Sequence, residues 1–202
     1  DLEIRGAGNL LGSEQHGFVA SVGFDMYCRL LDEAVKEVKG LPIDELPEPR
    51  VVTDIAAFLP DEFVTDAEEK IALYKRLADA RELDEVDLLY GEMSDRFGRL
   101  TPEAKALIDL RRLRVLGRSV RATQIQVRST KIEVELAAPP DREELKAWMS
   151  RLTVPVEFAA GSRFALIVRK TGEAPLETAL LLMEQITGST PAPESSTAVF
   201  RR

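Results

Sequence analysis

The residues best suited to chemistry stand at the start of the sequence, in Asp1-Leu2-Glu3-Ile4-Arg5-Gly6-Ala7-Gly8-Asn9-Leu10-Leu11-Gly12-Ser13-Glu14-Gln15-His16-Gly17. Arg5 and Gln15 supply its long donors, while Gly6, Gly8, Gly12 and Gly17 let the backbone take positive φ and lie close against another surface. A guanidinium in such a loop can hold a phosphate or carboxylate through two parallel hydrogen bonds, and so responds to the relative position of two bodies it bridges. On residue type alone, a glycine-flanked arginine is more often an ordinary surface group paired with a neighbour such as Glu3 or Asp1. His16 has no acid or nucleophile patterned around it, so general-base catalysis is not expected there. No glycine-rich phosphate loop, zinc signature or nucleophile motif occurs in the sequence.

The elements that would carry this loop follow from periodicity. Phe24, Tyr27, Leu30, Leu31, Ala34, Val35 and Val38 recur at helical spacing up to Gly40. Residues 41–50, with three prolines and several acids, read as a linker. Val51 to Phe58, bounded by Pro49 and Pro60, predicts an edge strand or extended arm. Thr65-Asp66-Ala67-Glu68 has capping-box spacing and predicts a helix from near Asp66; a second helix carries Val86, Leu89, Tyr90, Met93 and Phe97, with Gly98 as a left-handed cap. Thr101-Pro102 opens a third helix expected to run to Gly117.

The period then changes to two. Ile125 and Val127 against Ile132, Val134 and Leu136 predict a hairpin turning at Ser129-Thr130. A helix from Asp141 to Leu152 follows, then a second hairpin around Gly161-Ser162, then a helix from Pro175 to Ile186. Three helices and a ββαββα unit predict an α+β domain with helices on one side of a four-stranded antiparallel sheet, spanning 51–187. Residues 188–202, rich in Ser, Thr, Pro and Glu, are expected to be disordered.

With 202 residues and 45% hydrophobic content, the chain can bury one sizeable core. No apolar run reaches the roughly 20 residues needed to span a bilayer, so a cytoplasmic protein is expected. One cysteine, Cys28, and one histidine, His16, allow neither an internal disulfide nor a Cys/His zinc site. A net charge of -8 argues against a general nucleic-acid surface and for basic protein partners. Against that average run Arg111, Arg112, Arg114, Arg118, Arg121, Arg128 and Lys131, whose plainer reading is a solvated face pairing with the acidic helices. Glu68, Glu69, Asp84, Glu85 and Asp87 fall in helix first turns, where the macrodipole accounts for them; Asp95-Arg96 reads as a local ion pair, with Phe97 in the core.

The opening loop resembles the motif named for translocation in RecG. Ile71-Ala72-Leu73-Tyr74-Lys75-Arg76-Leu77-Ala78 with Glu92-Met93-Ser94-Asp95-Arg96-Phe97-Gly98 resembles the C-terminal domain of the transcription-repair coupling factor (Mfd) family. A RecG-like chain would end soon after the loop, and a stand-alone interaction module is the remaining alternative. The resemblance implies that residues 1–40 are a helical remnant of a motor, in which Arg5 and Gln15, shaped by Gly6, Gly8, Gly12 and Gly17, couple ATP hydrolysis to movement on double-stranded DNA. His16 stands where the family usually has a small hydroxyl residue. The parent so implied binds ATP and Mg, displaces stalled RNA polymerase and recruits UvrA for nucleotide excision repair. Its C-terminal domain is implied to mask the UvrA-binding surface of an N-terminal UvrB-like module. The ATPase motifs themselves are missing, so the chain is expected not to hydrolyse ATP alone.

Overall fold

A computed structural model describes residues 48–189 except 162, 170, 172 and 173. In chain order its elements are β1 (Arg50–Thr53), α1 (Ala67–Asp79), α2 (Leu83–Phe97), α3 (Pro102–Ser119), β2 (Ala122–Arg128), β3 (Lys131–Leu136), α4 (Arg142–Arg151), β4 (Glu157–Ala160), β5 (Phe164–Val168) and α5 (Pro175–Thr187). The α+β class expected from the sequence is observed. The sheet, however, has five strands in the order β1-β2-β3-β5-β4, and β1 lies parallel to β2. The predicted edge strand is thus part of the sheet, and it is shorter than Val51 to Phe58.

Register places the apolar side chains in rows across the ladder. Val51, Ile125, Val134 and Leu166 form one row; Val127, Ile132 and Val168 form the next. These residues are buried in one cluster with Trp148, Leu180, Met183 and Ile186 of the helices, while Gln124, Gln126, Glu133 and Glu135 alternate onto the opposite face. A second cluster joins α1, α2 and the other flank of α3 through Leu73, Leu77, Val86, Leu89, Met93, Leu107 and Ile108. Buried side chains of α3 feed both clusters, so this helix is the shared wall of the domain.

The helix starts follow local chemistry. Asp66, rather than Thr65, caps α1 by accepting from the Glu69 amide at 2.8 Å; Thr101 caps α3 and Pro102 occupies its first position. Gly98 ends α2 with φ 83° and ψ -160°, a positive-φ conformation outside the left-handed helical cap that was expected. The expected stop at Gly117 is passed, and α3 continues to Ser119. Gly117 serves packing instead: a Cβ there would meet Pro49 Cγ at 2.6 Å and Ile125 Cδ1 at 2.8 Å. Pro49 and Arg50, which composition placed in the linker, belong to this packed structure.

Candidate protein-docking face

The helical pair α1–α2 is braced along one edge by charge. Arg76 donates to both carboxylate oxygens of Glu92 at 2.8 and 2.6 Å, and Arg96 bonds Glu92 at 3.3 Å and also Glu69. The hydrogen bond from Arg76 holds the Glu92 carboxyl down to about 2. Arg96 also lies 5.2 Å from the Phe97 ring centroid, and Phe97 packs at 5.6 Å on Phe63. The local Asp95–Arg96 pair expected from the sequence is therefore replaced by contacts from Arg96 to α1 and to Glu92. Phe97 is only half-buried against the helical cluster.

On the other edge Arg112 ties α3 to α2. Its guanidinium bonds Asp87 at 2.6 and 3.0 Å and Asp109 at 3.0 Å, and sits 5.5 Å from the Tyr90 ring centroid. Asp109 is buried and is also reached by Lys105 at 3.1 Å. With both flanks of α2 engaged, its outermost stripe is Asp84, Leu88, Gly91 and Asp95, at helical spacing opposite Val86, Leu89 and Met93. Leu88 is 73% exposed, the largest value among the exposed large hydrophobics of the described residues. A Cβ on Gly91 would meet nothing within 4 Å, so the fold itself gives no reason for glycine there. In a helix interior glycine costs about 1 kcal/mol relative to alanine. An apolar knob and an adjacent notch between carboxylates form a surface on which a second backbone can come close, provided that it brings positive charge.

The basic run divides: Arg121 pairs with Glu144 of α4 and Arg112 with Asp87 of α2, as its plainer reading expected, whereas Arg128 pairs with Asp54 and Lys131 with Glu133, outside the helices. Arg111, like the buried Arg114, departs from that reading of a solvated face. It is 1% exposed, donates through Nε and Nη2 to the Ala80 carbonyl at the end of α1, and binds Glu48 bidentately at 2.7 and 2.6 Å. Burial pushes the neighbouring Arg114 guanidinium down to about 10. Among the described residues no group of three or more His, Cys, Asp or Glu is placed to hold a metal, and no helix is long and apolar enough to cross a membrane. Arg5, Gln15, Gly6, Gly8, Gly12 and Gly17, with His16 and Cys28, lie outside the described residues, as do most of the linker and the tail from 190.

The fold is that of a small α+β domain, with a candidate docking face on α2. Residues 53–146 match the family model of the TRCF domain. The chain is 43% identical over 138 residues to the transcription-repair-coupling factor of Myxococcus xanthus and 38% identical over 139 residues to that of Staphylococcus aureus, in each case over 68% of the chain and 12% of the relative. It therefore spans about one-eighth of the length of the curated relatives it matches. A crystal structure of the C-terminal domain of a transcription-repair coupling factor superposes with a TM-score of 0.61 at 19% identity, over 70% of this chain and 92% of that one. The chain belongs to the transcription-repair coupling factor family.

Proposed function

We propose that residues 51–187 form a regulatory clamp in an ATP-dependent double-stranded DNA translocase that displaces stalled RNA polymerase and recruits nucleotide excision repair. In this reading the acidic face of α2 docks on a basic surface of an N-terminal UvrB-like module of the same protein and covers the site that UvrA would use. Exposure of Leu88 beside the vacant Cβ position of Gly91, between Asp84 and Asp95, carries the reading. The surface offers desolvation at its centre and charge at its rim, the division of labour of a reversible protein interface.

Residues 1–40 then belong to the motor, where ATP and Mg would bind outside this chain. Arg5 and Gln15, in the loop shaped by Gly6, Gly8, Gly12 and Gly17, would transmit hydrolysis to movement on DNA. Arg5→Lys in the full-length protein should retain ATP turnover and lose translocation, because an ammonium cannot bridge two oxygens in the guanidinium plane. Normal translocation by that variant would remove the coupling role.

The clamp is tested by titrating this chain with the separately expressed UvrB-like module. Binding should weaken about tenfold between roughly 50 and 300 mM salt. Leu88→Glu should abolish it while leaving thermal unfolding unchanged. Salt-insensitive binding, or full affinity in Leu88→Glu, contradicts the assignment.

A further inference from the structure

β4 is the last strand in the sheet order, so one of its edges faces no other strand among the described residues. The backbone groups on that edge can be named. Just past the strand the Gly161 amide donates to the Arg163 carbonyl at 3.2 Å, continuing the ladder in which Ala160 stands opposite Phe164. Direction alternates along a strand, so Glu157 and Ala159 turn their N–H and C=O groups toward β5 while Phe158 and Ala160 turn theirs outward. Glu157, Phe158 and Ala160 are all exposed.

Sheet edges are ordinarily blunted by lysine, proline or a bulge. Glu157-Phe158-Ala159-Ala160 has none of these, and its register with β5 is unbroken. Phe158 stands opposite Leu166, on the face that carries the core, and packs on Phe164 at a centroid distance of 6.1 Å, yet it remains 37% exposed. The edge thus sets outward backbone groups beside an incompletely covered aromatic ring.

We propose that this edge pairs with the same edge of a second copy of the chain, antiparallel about a two-fold axis at Phe158. In a continuous sheet opposed residues share a face, so a symmetric register sets each residue against itself or against one an even number away. Centred on Phe158, that residue meets its own copy through its outward N–H and C=O groups, Ala160 meets Val156 on the core side, and Glu157 meets Ala159 on the other face. No like charges are opposed, because Glu157 faces alanine and is answered within its own copy by Arg169 at 2.9 Å. Centring on Ala159 would set Phe158 against Ala160 and leave the ring without its counterpart. So short a ladder gives a weak, reversible dimer. None of these residues lies on the α2 face, so the pairing stands or falls separately from the clamp.

Sedimentation velocity on the 202-residue chain tests the proposal and should show a monomer–dimer equilibrium. Phe158→Lys and Phe158→Glu should each abolish the dimer with circular dichroism unchanged, and an equal mixture of the two should restore it, because residue 158 meets itself. Ala159→Lys, which alters neither apolar cluster, should tighten association roughly fivefold by facing Glu157 of the second copy. A chain that stays monomeric, a dimer indifferent to both Phe158 variants, or a mixture that fails to associate overturns the proposal. So does a weaker dimer in Ala159→Lys, which would set lysine against lysine in the register centred on Ala159. A monomer whose Phe158 and Ala160 amides resist hydrogen exchange assigns the edge to another part of the same chain and overturns it equally.

Discussion

Arg111 shows how much one side chain can commit. Its charge is buried, and Glu48 supplies the countercharge, so Glu48→Ala should destabilise the domain by about 3 kcal/mol, most of it the cost of an uncompensated guanidinium. Urea denaturation of the variant measures this directly, and a change below about 0.5 kcal/mol would show that the pair is dispensable. Glu92 gives a pH-dependent counterpart. Its folded pKa, about 2, lies below the ordinary 4.5, so its stabilisation is complete above pH 4.5 and is lost as pH falls through about 2. Glu92→Gln should remove that part of the acid-unfolding slope; an acid-unfolding curve identical to that of the parent chain would place the stabilisation elsewhere. Neither role was legible in the sequence in full. Arg111 sat within a basic run, and its partners lie 31 and 63 residues away, beyond any local pattern.

At the scale of elements, α2 presents two leucines with opposite duties. Leu89 faces the helical core and Leu88 faces outward, so Leu89→Ala should cost about 2–4 kcal/mol while Leu88→Ala leaves the melting temperature within error. Gly91→Ala should stabilise the isolated chain by up to about 1 kcal/mol, because the helix gains propensity and meets no steric objection. The same substitution should weaken docking of the UvrB-like module; unaltered affinity would leave Gly91 unexplained. Elements of this kind were largely readable: the helix start near Asp66, the cap at Thr101, the switch to period two at Ile125 and the turn at Ser129-Thr130 are signals within a few residues. Pairing of β1 with β2 was not, since a parallel register across some seventy residues leaves no local trace. A helix expected to stop at Gly117 continued because the glycine answers Pro49 and Ile125. The outward stripe of α2 escaped notice for a related reason: periodicity reports what a helix buries and says little about a lone exposed leucine.

For the whole molecule, sharing of α3 between two apolar clusters implies a single cooperative unit. Trp148, the one tryptophan of the chain, reports the sheet cluster, and helical circular dichroism is weighted toward α1, α2 and α3. Their denaturation midpoints should coincide, whereas separate transitions would mean that the clusters fold independently. The parallel pairing of β1 has a mechanical consequence as well. A pull on the upstream chain, with the domain held at α2, would load the Glu48–Arg111 fork first and then drag β1 lengthwise along β2. The ladder would meet that load in shear, all four register pairs at once, rather than peeling open one bond at a time. The entry strand is thus a cleat for a line under tension, suited to a domain that must stay attached when its upstream chain is pulled.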